Sequence, residues 1–351
     1  MERKRIRDII IPVILILSML LAGCGGKKGG SDDDDPSKLV PVNGDDGINV
    51  SNITTKAYDS VFVAGDAGYE YYHFNKDIAD KYAGAIKKAG EALKGSAKVY
   101  DMIIPTAMDV TLPDGVRKNV TNTDDQREAV DYIYKAIGSD VKCVNIMDTL
   151  RQHKKDYLYF RTDHHWTALG AYYAYREFCK EKGVSNNKRS DMEMVTFDDF
   201  LGSFYSSTKD ENLKKNPDTV EAYVAKGTND MTFTDKEGKE TAWKIIKDVT
   251  SWAQGSKYNT FIGGDNPYSV IENPKVNDGS TCLIVKESFG NAMVPFLVDH
   301  YQHLYIVDYR YYTGTLSELS SKYKFNDVVF LSAISAGMGS NNVTRLENFV
   351  K

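Results

Sequence analysis

The chain has 351 residues, 42% of them hydrophobic and 26% charged, enough to bury a real core and long for one simple domain. A formal net charge of -5, with no basic stripe beyond the N-terminus, argues against a nucleic-acid binder. Cys24, Cys143, Cys179 and Cys282 show no C-x-x-C spacing, so no zinc site or disulfide framework is expected.

The first residues read as an address. Arg3, Lys4, Arg5 and Arg7 form a positive region, Ile9 to Leu21 is apolar, and Ala22-Gly23 are small residues before Cys24. That order makes 1–23 a secretory signal peptide rather than a membrane span. Its ending resembles the lipobox of bacterial lipoproteins, which implies cleavage before Cys24, lipidation of its sulfur and an extracytoplasmic, lipid-anchored location at the bacterial cell membrane. Residues 24–55 are rich in Gly, Ser, Asp and Pro, with the acidic run Asp32–Asp35, and are expected to be a flexible tether.

From residue 56 onward strand and helix patterns alternate. Ser60–Gly65 reads as a strand, and 75–95 as a helix with Ile78, Tyr82, Ile86, Ala89 and Leu93 on one face. Val99–Ile104 is a strand stopped by Pro105, and Thr121–Asp124 opens a helix through Ala129, Tyr132, Ile133 and Ile137. Val141–Met147 reads as a strand. Thr167 opens an amphipathic helix that Gly183 closes. Residues 186–280 are polar and turn-rich, with short strand-like pieces at Thr219–Val224 and Asn259–Ile262, and read as an insertion or small β-rich subregion. Cys282–Lys286, His303–Val307 and Asp327–Ser332 are apolar strands, with helices expected at Ala292–His300 and Leu316–Tyr323. Near-continuous apolar strands alternating with helices imply an α/β fold with a central parallel sheet covered on both faces.

The chemistry concentrates in Asp163-His164-His165-Trp166, between an apolar segment and a helix start. In an extended segment Asp163 and His165 share a face and His164 points away. A carboxylate beside an imidazole fixes its tautomer and stabilises the imidazolium. Plainer roles are a helix cap for Asp163, structural histidines, or metal ligation by Asp163, His164 and His165, which the opposite pointing disfavours. Ser288 sits at the carboxyl end of the strand Cys282–Lys286 and leads into a helix, where backbone N–H groups can hold an oxyanion. A capping role is the plain alternative for it. Gly290 and Asn291 leave room for close approach. Tyr309, Tyr311 and Tyr312 either line a sugar cleft or pack.

Asp163-His164-His165-Trp166 with Lys286-Glu287-Ser288-Phe289-Gly290-Asn291 resembles the DHHW protein family, which is similar to the alginate O-acetylation proteins. Leu201-Gly202-Ser203, Ile262–Tyr268 and Val307–Tyr312 match as well. The resemblance implies an SGNH-hydrolase-like (flavodoxin-like) three-layer sandwich and a triad of Asp163 as orienting carboxylate, His165 as base and Ser288 as nucleophile. Glu287 departs from the Asp more often found before the serine. The Ser288 N–H and Arg310 are then the expected oxyanion groups, with Gly290, Asn291 and Tyr309 nearby. The expected function is O-acetyl transfer to, or deacetylation of, an envelope glycan or exopolysaccharide, with no metal and no cofactor. A membrane-bound O-acyltransferase partner is implied by resemblance only. The alternative is a glycan- or solute-binding lipoprotein without catalysis.

Overall fold

Most of the apolar runs become strands. The computed structural model describes residues 38–41, 46–335 and 337–351; the signal peptide and Cys24 lie outside the described residues. The strands are β1 (Thr55–Ala57), β2 (Val61–Ala64), β3 (Ala67–Glu70), β4 (Lys98–Ile104), β5 (Lys142–Cys143), β6 (Glu193–Phe200) and β7 (Asp218–Val224). They continue with β8 (Asp230–Thr234), β9 (Glu240–Lys244), β10 (Tyr268–Glu272), β11 (Thr281–Lys286), β12 (His303–Asp308) and β13 (Asp327–Ala333).

Eight of them form one sheet in the order β5-β4-β13-β11-β12-β10-β8-β9. The β5-to-β12 part is parallel, and β10, β8 and β9 extend it with antiparallel pairing. The sheet is therefore mixed, not wholly parallel as expected. Strands β1 to β3 form a separate antiparallel sheet, and β6 pairs with β7.

Alternation along the parallel strands feeds two cores. Met102, Ile284, Ile306 and Leu331 face one side, where the helix Ala168–Lys182 buries Ala171, Tyr175 and Phe178. Val99, Leu283, Val285 and Phe330 face the other, packed by the helices Lys76–Ala92, Gln126–Ile137 and Ser340–Phe349. Strands buried on both faces cannot alternate with polar residues, which is why they read as continuous apolar runs.

The helix boundaries follow their caps. The Asn75 side chain accepts from the Ile78 N–H at 3.1 Å, and Thr167 caps the helix that Gly183 ends at φ 80°. The helix expected to open at Thr121–Asp124 opens at Asp125, whose carboxylate accepts from the Glu128 N–H. Only Lys142–Cys143 of the expected strand Val141–Met147 forms a strand, because the Asn145 side chain accepts the Met147 N–H at 3.1 Å and turns the chain into the helix Met147–Gln152. The first half of the expected strand Asn259–Ile262 ends a 3₁₀ helix, Gln254–Thr260, and Phe261 makes only an isolated bridge to Ile246. Within the stretch 186–280, β6 and β7 pair with each other, whereas β8, β9 and β10 extend the main sheet.

The tether also ends earlier than residue 55. Val40 is buried and donates its N–H to the Gln152 carbonyl at 2.8 Å, and buried Asp46 pairs with Lys154 at 2.7 Å. A buried ion pair and the strand β1 fasten this stretch to the body. No described helix is long and apolar enough to cross a membrane.

Candidate active site

Strand β11 delivers Ser288 to the carboxyl edge of the sheet, where the chain turns into a 3₁₀ helix, Ser288–Ala292. The facing loop is closed by a bridge between Tyr159 and Trp166, with the Phe160 N–H donating to the His165 carbonyl at 3.1 Å. Inside it the chain is bent, not extended. The His165 N–H donates to Asp163 Oδ1 at 3.0 Å, a local side-chain turn of the kind Asp favours. His164 therefore does not point away. Its ring centroid lies 3.9 Å from that of His165.

The bend brings the three expected groups into line. His165 Nδ1 is 2.6 Å from Asp163 Oδ1, and His165 Nε2 is 2.8 Å from Ser288 Oγ. All three side chains are largely buried, Ser288 being 8% exposed. Burial alone would push the Asp163 carboxyl up; the His165 and His164 imidazoles and the hydrogen bonds to it hold it well below the usual range. It stays an anion and keeps its grip on Nδ1. Burial and the neighbouring His165 push His164 down, favouring its neutral form. His164 Nδ1 lies 2.6 Å from Ser203 Oγ.

A second layer fixes this line. The Ser203 N–H donates to Asp163 Oδ2 at 2.7 Å, and the Gly202 N–H to Thr162 Oγ1 at 3.1 Å. Buried Asp218 on β7 accepts the Thr162 N–H at 2.7 Å and its hydroxyl at 2.6 Å. Tyr258 stacks on His165 at 3.9 Å and 9°, and donates its hydroxyl to the Ser288 carbonyl at 3.0 Å. Trp166 Nε1–H reaches the Phe289 carbonyl at 2.8 Å, tying the histidine loop to the serine turn. Sequence reasoning missed Tyr258, Asp218 and Thr162, and valued Ser203 only as part of a matching block.

Glu287 is fully buried, and its carboxylate binds the serine turn to β13. Oε1 accepts the Ala333 N–H at 3.0 Å, and Oε2 accepts the Phe289 N–H at 3.2 Å and lies 3.2 Å from Ser288 Oγ. Burial pushes it up, against the field of Arg310.

The remaining expected residues divide. Arg310 lies beside the site, but its guanidinium is held by Asp308 Oδ2 at 2.7 Å and Asp265 Oδ2 at 2.8 Å. Asn291 is buried and donates to Asp265 Oδ1 at 3.1 Å. At Gly290 a Cβ would meet the Lys286 Cβ at 2.6 Å, so its smallness serves close packing of the turn. Tyr309 does not line the site. It is 2% exposed in the core of the opposite face, with its hydroxyl donating to the Gly337 carbonyl at 3.2 Å, because Asp308 and Tyr309 point to opposite sides of the sheet.

Asp163, His164 and His165 offer donor atoms within 4.8 Å of one another, so opposite pointing no longer argues against a metal. Both ring nitrogens of His165 are nevertheless engaged, by Asp163 and Ser288. A cation there would have to break that line.

A buried carboxylate, an imidazole and a serine hydroxyl stand in hydrogen-bonded series at the edge of an α/β sheet, an arrangement with the geometry to activate a nucleophile. The pattern of the DHHW protein family matches residues 37–307, and the chain belongs to that family. A DHHW family protein from Eubacterium siraeum is 28% identical, with a TM-score of 0.76, covering 84% of this chain and 97% of that one. Bacillus cereus PatB1, solved with a sulfonyl adduct, is 20% identical with a TM-score of 0.68, covering 85% of this chain and 100% of that one. A looser likeness is to the O-acetyltransferase domain of Pseudomonas putida AlgJ, 12% identical with a TM-score of 0.43, covering 85% of this chain and 99% of that one. Comparison with curated proteins gives no match.

Proposed function

We propose that this protein is a serine-dependent O-acyltransferase or esterase that moves acetyl groups on an envelope or secreted glycan. The observation that carries the reading is the unbroken line Asp163–His165–Ser288, at 2.6 and 2.8 Å. Ser288 Oγ attacks the acetyl carbonyl while its proton passes to His165 Nε2. That proton then goes to the departing oxygen of the donor, leaving acetyl-Ser288. A sugar hydroxyl, or water, gives its proton to His165 and attacks in turn, and the tetrahedral species collapses to release Ser288. Asp163 keeps Nδ1–H pointed at itself throughout and stabilises the imidazolium. The Ser288 N–H, at the start of its 3₁₀ helix, is the oxyanion donor in this scheme. No cofactor is required, since the acetyl group comes from a substrate or partner.

The finer fold is part of the same reading: an SGNH-hydrolase-like, flavodoxin-like three-layer sandwich, supported by the two cores on either side of the parallel strands. So is the setting. Lipidation at Cys24 would hold the body outside the cell membrane, beside a membrane-bound O-acyltransferase able to supply acetyl groups.

The test uses the compact part of the chain from Asp32 to Lys351. Release of p-nitrophenol from p-nitrophenyl acetate is measured for the wild type, Ser288→Ala and His165→Ala. Each variant is expected to lose about 1,000-fold or more of the rate. A sulfonyl fluoride is expected to add one sulfonyl group to the wild type and none to Ser288→Ala. Equal rates in the three proteins would overturn the relay and leave the binding lipoprotein as the better reading.

A further inference from the structure

Beside the relay, past Arg310, the turn after β12 opens on a cavity of about 510 Å³. Its wall carries three cations, Lys236, Arg310 and Arg345, with Tyr311, Tyr312 and Asn348 among them, and no carboxylate among the described residues. This is unusual for a chain with 49 acidic and 44 basic residues. Nothing in the relay uses this space.

The charges there do not cancel. Arg310 is paired with Asp308 and Asp265, and Lys286 pairs with the same two at 3.0 and 3.5 Å. That group of two cations and two anions closes on itself. Lys236 and Arg345 are exposed and make no ion pair among the described residues. Lys236 sits in the turn between β8 and β9, its ammonium 3.7 Å from the centre of the Tyr311 ring, so an aromatic face holds it over the cavity. The neighbouring Asp235 carboxylate accepts the N–H groups of Glu237 and Lys239 in its own turn. Arg345 and Asn348 lie one turn apart on the helix Ser340–Phe349, on the same face. Arg310 is the shared wall: it lines this cavity and grips Asp265, which holds Asn291 three residues past Ser288.

We propose that this cavity binds an anionic group of a polymeric glycan, a carboxylate or phosphate borne near the sugar being acylated, and so selects the acceptor. Lys236 and Arg345 supply the charge, and the tyrosines offer flat faces to the sugar ring. Its role in acceptor choice rests on the acyl-transfer reading; the binding itself does not.

The test is calorimetric binding to the Asp32–Lys351 protein of three probes: a galacturonate hexamer, a glycerol-phosphate oligomer and a neutral maltohexaose. Wild type, Lys236→Ala/Arg345→Ala and Ser288→Ala are compared at 20 and 300 mM salt. The wild type and Ser288→Ala are expected to bind at least one anionic probe, and to bind it about tenfold more weakly in high salt. The double variant is expected to lose about tenfold in affinity while keeping its p-nitrophenyl acetate rate. The stronger of the two anionic probes distinguishes carboxylate from phosphate. Equal affinity in the double variant, maltohexaose bound as tightly as the anions, or no binding of either anion overturns the proposal. Loss of activity in Ser288→Ala is read separately and bears only on the relay.

Discussion

Gly202→Ala should disable the relay without altering any of its three members. The glycine has φ -87° and ψ -153°, a conformation open to any residue, so alanine meets no backbone objection. The objection is the neighbour: a Cβ there would lie 2.2 Å from Asp163 Cβ, 2.3 Å from Oδ2 and 2.6 Å from Cγ. Ordinary contact requires a separation larger by about 1 Å or more. Asp163 is the short, buried side chain that would have to give, and moving it opens both the 2.7 Å bond from the Ser203 N–H and the 2.6 Å bond to His165. A misplacement of about 1 Å in a positioned group costs on the order of 100-fold in rate. Overpacking is expected to lower stability by about 1–3 kcal/mol, leaving the protein folded at room temperature. The assay is p-nitrophenyl acetate turnover set beside a thermal melt. A rate within threefold of wild type, with the protein folded, would refute the claim that Asp163 must stay where Gly202 lets it sit.

Acid should reveal Asp265. Burial raises its carboxyl, but Lys286 and Arg310 win and bring it down to about 2. A lowered carboxylate contributes stability that is full above about pH 4 and drains away as pH falls toward 2. Thermal melts between pH 4 and 2 should therefore slope less steeply in Asp265→Asn than in the wild type; parallel slopes would count against the pairing. Asp101 behaves oppositely. It is wholly buried with, among the described residues, only the Tyr82 hydroxyl as side-chain partner, 2.7 Å from Oδ1, and burial pushes it up to about 7. Its folded form holds the proton more tightly, so its contribution is full below about pH 4 and is lost as pH rises toward 7. Asp101→Asn should flatten that part of the melting profile, and an unchanged profile would show the carboxyl is not titrating there.

What was legible in the chain depended on how local the cause was. Asp163, His165 and Ser288 stood out because their residue types carry chemistry, and the apolar run of β11 placed Ser288 at a strand end. The helix ends at Thr167 and Gly183 were readable because capping is a contact within one turn. His164 was misplaced because alternation assumes an extended chain, while the Asp163 side chain bends the loop through the His165 N–H. Tyr309 was misplaced for the converse reason: it obeys alternation, and that sends it away from the edge where Arg310 and Asp308 meet. Tyr258 and Asp218 reach the site from 30 and 56 residues away in sequence, with no spacing signal to announce them. The strands of 186–280 read as an insertion because β8, β9 and β10 are antiparallel strands that alternate more and less buried residues and lack the apolar runs of the parallel centre.

The two borders of the eight-stranded sheet have a bearing on the protein's neighbours of its own kind. At one border β5 pairs through only two residues. At the other, β9 is five residues long, begins with Glu240, ends with Lys244 and leaves alternate side chains exposed. A border so short, or so charged, is a poor template for strand addition by a second copy. Copies crowded together would therefore tend to remain separate bodies rather than join sheet to sheet.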